Sequence, residues 1–256
     1  MTFGTAAIAE SSDSAFSRTR LRALAELAVA YALILAVIWS PRPWQRPLWI
    51  IAAVAVIAMM ARSWHGRRAI GLRTENFWRS LWVVGAALAI AAGSVMMASH
   101  LDSLRLPSPP LTGIGRTDDV LGRALLVARS YWAYSLWAFV QQFLLQGFFL
   151  LRLMQITNRP KIAAFVAAGL FALAHLPNPI LMVTTVVWGF SACMVFLRYR
   201  NLYPLAIAHA IFGITLAITI PGPVIRNMRV GLGYVAYGHR HAATVSLEPQ
   251  RPDSVN

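Results

Sequence analysis

A chain of 256 residues with 58% hydrophobic residues, 12% charged residues and a mean hydropathy of +0.58 is not an ordinary soluble domain. Its formal charge of +14 comes almost entirely from arginine. No basic domain stands apart from the apolar runs, so this charge fits anionic lipid headgroups rather than nucleic acid. In chain order, residues 1–20 are polar and Ser/Ala-rich and predict a disordered tail. Apolar runs then predict seven spans, at 23–39, 48–61, 81–99, 131–153, 162–176, 180–197 and 202–220. The first is read as a retained span, because Ser40-Pro41-Arg42 follows it without a small-residue cleavage site. PRPWQRP at 41–47 makes a turn with Trp44 at interfacial depth, and 62–79 is a basic segment. The longest loop, 100–129, contains PSPP and GIGRTDD and a short interfacial helix around 120–127. The cluster YWAYSLW (131–137) suits one membrane interface, and TNRPK, HLPNP and RYRN mark the later turns. Residues 221–256 are basic and Gly-rich and lack a span-length run, which predicts a surface or disordered tail.

These elements make the fold class all-α, a polytopic membrane helix bundle of about seven transmembrane helices, in one domain over 21–220. Thirteen of the 23 basic residues fall on the side of the N-terminus, which puts that end inside. The Ala- and Arg-rich composition reads as that of a bacterial cytoplasmic membrane protein. Cys193 has no second cysteine to pair with and reads as a small packing residue, and Met182 and Trp188 read as core or lipid-facing.

The polar residues inside the spans are the informative ones. Gln141, Gln142 and Gln146 lie within AFVQQFLLQGFFLLRL (138–153), where an amide is unfavourable unless something bonds it. In an α-helix Gln142 and Gln146 share a face and Gln141 flanks it. His175 ends the fifth span, and His209 lies about 10 Å into the seventh at 1.5 Å per residue. Amides gluing helices at roughly 0.5–2 kcal/mol each, with packing histidines, is one reading. The other is a shared polar pocket: short connections make the fourth and fifth spans antiparallel neighbours, which brings His175 toward the level of Gln141, with His209 entering from the opposite side.

Three segments, QQFLLQGFFLLRL (141–153), FALAH (171–175) with the following LPNP, and RYRNLYPLAIAHAIFG (198–213), together resemble the three motifs of the CPBP family. These are the CAAX prenyl endopeptidases and related bacterial membrane proteases, also linked to bacteriocin processing and self-immunity. IGLR at 70–73 resembles their upstream element, so the likeness spans a core of about 70–219. The resemblance implies an intramembrane endopeptidase whose first Glu of a Glu-Glu pair activates water, assisted by two histidines and an Asn that holds the oxyanion. On this chain Gln141 falls at the catalytic Glu, Gln142 at the second Glu and Gln146 at an Arg. Phe171 and His175 match the FxxxH motif, Asn178 follows in LPNP, His209 matches the third-motif His, and Gly213 replaces the Asn.

The resemblance thus nominates Gln141, His175 and His209 as the catalytic positions, with Gln142, Gln146, Phe171, Asn178 and Gly213 around them. A neutral amide cannot take a proton from water as a carboxylate does. Two functions follow: proteolysis of membrane-associated peptides or proteins by a variant mechanism with a histidine as base, or a pseudoprotease that binds a membrane peptide or protein partner in an immunity or regulatory role. No cofactor motif is present, and two histidines without a third ligand do not make a catalytic zinc site.

Overall fold

The protein's structure, a computed structural model, describes residues 3–62, 69–106 and 120–246. The basic stretch 63–68, the PSPP and GIGRTDD segments within 107–119, and the last ten residues lie outside the described residues. The described elements are all helical, without strands: α1 (Phe3–Trp39), α2 (Arg42–Arg62), α3 (Phe77–Ser80), α4 (Trp82–His100) and α5 (Val120–Gln142). A π-helix (Phe143–Leu150) and α6 (Leu151–Thr157) continue α5; α7 (Pro160–Leu173), α8 (Pro179–Tyr199) and α9 (Tyr203–Thr219) follow. The chain closes with α10 (Gly222–Ile225), a 3-10 turn (Arg226–Met228) and α11 (Gly231–Ser246).

Five helical stretches are long and apolar enough to cross a membrane: Ser17–Trp39, Arg42–Arg62, Phe77–His100, Ala124–Thr157 and Pro179–Tyr199. With the shorter apolar helices α7 and α9 they make the membrane bundle of an integral membrane protein. Helix boundaries follow local chemistry. Pro160 and Pro179 occupy first-turn positions, where the missing N–H breaks no bond. The Asn178 side chain accepts from Leu181 N at 3.3 Å and caps α8. Arg200, at φ +52°, ends α8 in the left-handed conformation.

Helices α7 and α8 pack closely through small residues. Ala163, Ala164, Ala167 and Ala168 are fully buried, and a Cβ at Gly189 would press on the Ala168 backbone at 3.4 Å. IGLR and RYRN, far apart in sequence, clamp one another. Arg73 donates to the Arg200 and Tyr199 carbonyls at 2.8 and 3.0 Å, Asn201 donates to Arg73 O at 2.8 Å, and Leu202 N donates to Gly71 O at 3.0 Å. Gly71, at φ +82° and against the Phe196 ring, has no room for a side chain.

Three expectations need correction and one is narrowed. The N-terminal segment continues the first span as one helix from Phe3, because its Ala-rich sequence holds no Gly or Pro after Gly4 to stop the winding. The interfacial helix at 120–127 is the first part of α5. Of the two alternatives for the C-terminal tail, surface or disordered, the described part follows the first: it is helical as far as Ser246, α11 packs against α1, and Asn178 Nδ2 donates to Ile225 O and Arg229 O at 2.9 and 3.2 Å. Arg152, one of the thirteen basic residues assigned above to the N-terminal side of the membrane, is 2% exposed, with its Nε 2.7 Å from Glu26 Oε2.

Candidate functional site

Tyr131, Tyr134, Trp137 and Gln141 recur every three to four residues along α5 and so lie on one face. That face forms a wall of a cavity of about 500 Å³, closed on other sides by His175, by Thr184, Thr185 and Trp188 of α8, and by His209 and Gly213 of α9. Part of the cover is C-terminal chain: Ile225, Asn227, Met228 and Val230. An adjoining apolar cavity of about 400 Å³ is lined largely by α1, α2, the α5–π unit and α7, with Phe171 in its wall. The two share Trp137, Gln141, His175 and Val230. Among the described residues no Asp, Glu, Lys or Arg lines either cavity. The aromatic cluster expected at the membrane interface therefore supplies cavity wall instead.

The two histidines present different atoms. His175 Nδ1 is 2.7 Å from the Phe171 carbonyl. A carbonyl only accepts, so Nδ1 carries the proton and Nε2 is left as an acceptor. His209 Nδ1 is 2.9 Å from Gln142 Nε2. The amide N–H donates there, so Nδ1 accepts and Nε2 carries the proton. The Phe171 ring meets both imidazoles edge-on, at 4.9 Å from His175 and 5.9 Å from His209, and Trp188 lies 6.1 Å from His209.

Several polar atoms beside this arrangement have no hydrogen-bond partner among the described residues. They are Gln142 Oε1, both amide atoms of Gln146 and the indole nitrogen of Trp188, all buried. Each unpaired group costs about 1–3 kcal/mol in a dry interior. Among the described residues no group of three or more His, Cys, Asp or Glu is arranged to hold a metal ion.

The expected site residues do not play equal parts. Gln141, His175, His209 and Gly213 reach the larger cavity, and Gln142 joins it through His209. Gln146 is buried within the π-helix and reaches neither cavity. The i→i+5 bonding there replaces i→i+4, so Gln146 no longer stacks above Gln142 as α-helical spacing predicts. Asn178 is absent from both walls and instead fastens the C-terminal chain that covers the site.

Residues 123–215 match the family model described as type II CAAX prenyl endopeptidase Rce1-like. Over this segment, 93 of the 256 residues, the chain is similar to the Rce1-like branch of the CAAX proteases. The Rce1-like segment takes in the glutamines, both histidines and Gly213, while IGLR and the C-terminal cover fall outside the matched range. Comparison with curated proteins and with solved structures gives no match. Sequence reasoning missed Tyr134, Thr184, Thr185, Trp188 and Asn227 as wall residues. Of these only Tyr134 carried a signal, its three- to four-residue spacing with Gln141.

Proposed function

We propose that this protein is a pseudoprotease of the CAAX protease-like family: it binds a membrane-associated peptide or protein segment in its cavity and leaves it uncleaved. The observation that carries this reading is the neutral wall. Gln141 and Gln142 stand where the resemblance puts carboxylates, Gln142 is engaged with His209, and among the described residues no acidic side chain lines either cavity. Loss of a positioned base removes about 10²–10⁴ in rate. An amide has two donor and two acceptor sites, which suits the carbonyl and N–H groups of an extended peptide. The adjoining apolar cavity suits that segment's apolar side chains. Arg-rich loops hold the protein against anionic headgroups of a bacterial cytoplasmic membrane, with its N-terminus inside.

One observation favours a second reading, slow proteolysis: His175 Nε2 is an acceptor on the cavity wall and is available as a base. The test uses the purified protein in nanodiscs with a panel of membrane-anchored peptides. Binding without cleavage is expected. Cleavage that His175→Ala and His209→Ala both abolish overturns the pseudoprotease reading in favour of the second. The restored set Gln141→Glu, Gln142→Glu, Gln146→Arg and Gly213→Asn, with Tyr134→Ala to clear space beside Gly213, is expected to cleave where the wild type does not.

A further inference from the structure

The space above Gly213 is taken by another residue's hydroxyl. A Cβ built on Gly213 would collide with Tyr134 Oη and with two carbons of its ring. Only glycine at this point of α9 admits the phenol so close to the helix. Gly213 is one turn beyond His209, about 6 Å along the axis at 1.5 Å per residue, and both residues line the larger cavity. The niche thus seats the phenol's polar end one turn from the imidazole whose Nε2 carries a proton.

The other hydroxyls of α8 in this wall are committed elsewhere. Thr184 donates to Ile180 O at 2.8 Å and Thr185 to Leu181 O at 2.6 Å, both within their own helix. Tyr134 makes no hydrogen bond among the described residues, and it is only half-buried, with its ring on the cavity wall. Its phenolic O–H is thus a donor without an acceptor among the described residues, on a residue of the cavity wall. A peptide carbonyl entering the cavity supplies one.

We infer that Tyr134, seated in the niche left by Gly213, is a ligand-binding residue that donates its phenolic hydrogen to a backbone carbonyl of the bound segment, one helical turn from the His209 Nε2–H. This rests on the peptide-binding reading above. It adds the group that fixes one carbonyl of the peptide and the reason that position 213 is glycine. With His209 it gives the same cavity wall two hydrogen-bond donors.

The experiment uses the full chain in nanodiscs and a fluorescent Ala/Leu transmembrane peptide with ¹³C-labelled backbone carbonyls. Tyr134→Phe keeps the ring and removes the donor; it is expected to weaken binding about fivefold. It is also expected to raise the infrared frequency of one labelled carbonyl in the bound peptide. Gly213→Ala, whose methyl drives the hydroxyl off its seat, is expected to weaken binding at least as much. The double variant Tyr134→Ala with Gly213→Asn moves a donor from α5 to α9 and is expected to return affinity to within about twofold of wild type. Equal affinity of Tyr134→Phe and wild type overturns this inference and leaves the peptide-binding reading standing. Weaker binding with an unmoved carbonyl band also overturns it, since the ring then acts only through packing. If the wild type binds no such peptide, the reading fails and the inference falls with it. Should Tyr134→Phe not fold, Gly213→Ala decides by the same two readouts.

Discussion

The continuous helical unit from Val120 to Thr157 carries buried polar groups in two places, and they are handled in opposite ways. Arg152, 2% exposed, keeps its full charge and is matched on several sides: Glu26 Oε2 at 2.7 Å, the Met59 carbonyl at 3.3 Å and the face of Phe148 at 5.0 Å. The second carboxylate oxygen of Glu26 is held by Arg22 at 2.9 Å. Gln142 and Gln146, fully buried, carry no charge and between them leave three amide atoms unpartnered among the described residues. The charged cluster is closed and welds α1 to the long helical unit. The neutral one is open, with hydrogen-bonding capacity left over at Gln142, bonded to the cavity-lining His209, and at Gln146, which reaches neither cavity.

The largest expected effect comes from breaking the closed cluster. Arg152→Ala leaves the Glu26 carboxylate buried with only the half-exposed Arg22 beside it, and unfolding in detergent should show a loss of about 3 kcal/mol. A loss below about 1 kcal/mol would mean that the pair behaves as a surface ion pair, and the contrast would collapse. A middle-sized effect is expected at the cover of the cavity. Three successive non-glycine residues there, Arg226, Asn227 and Met228, have φ of +47°, +49° and +56°, a conformation that costs about 1–2 kcal/mol per residue. They are pinned on either side by the Asn178 bonds to Ile225 O and Arg229 O and by the Gly231 N bond to Leu176 O at 2.7 Å. Asn178→Ala should raise amide exchange across 225–231 about tenfold or more without lowering global stability to the same degree. Uniform exchange changes throughout the bundle would refute a local role. The smallest effect sharpens the open side. Gln146→Leu removes an amide that has no partner among the described residues, so the midpoint of unfolding should stay put or rise, by about 1 kcal/mol at most. A loss comparable with that of Arg152→Ala would show that the open cluster is closed after all.

Much of this was legible in the sequence. Apolar runs marked the five helices long and apolar enough to cross a membrane and the two shorter apolar helices beside them, because helices in lipid must be apolar and satisfy their own backbone. Depth arguments brought Gln141, His175 and His209 to the same cavity. What stayed hidden depends on packing between distant elements. Arg152 looks like a loop charge until Glu26, 126 residues earlier, is known to face it. Tyr134 looks like an interfacial aromatic until α9 offers Gly213 as its seat. The C-terminal helices lack span-length hydrophobicity, and their placement rests on side-chain to backbone bonds from Asn178, which no periodicity encodes. The exchange of α- for π-winding left no mark in FLLQGFFL either.

That change of winding sets the rotational phase between the two clusters. Each residue of an α-helix turns the chain by about 100°, so Gln142 on one side of Phe143–Leu150 and Arg152 on the other point in directions fixed by how the eight residues between are wound. The wider π turn works like a gear offset: it lets one helical unit aim an amide at α9 and a guanidinium at α1. Removing a single residue of 143–150 other than Gln146 and Phe148 leaves every side chain of both clusters in the chain, yet swings one cluster by about a quarter turn relative to the other, so that the helix can engage its anchor or its cavity but not both.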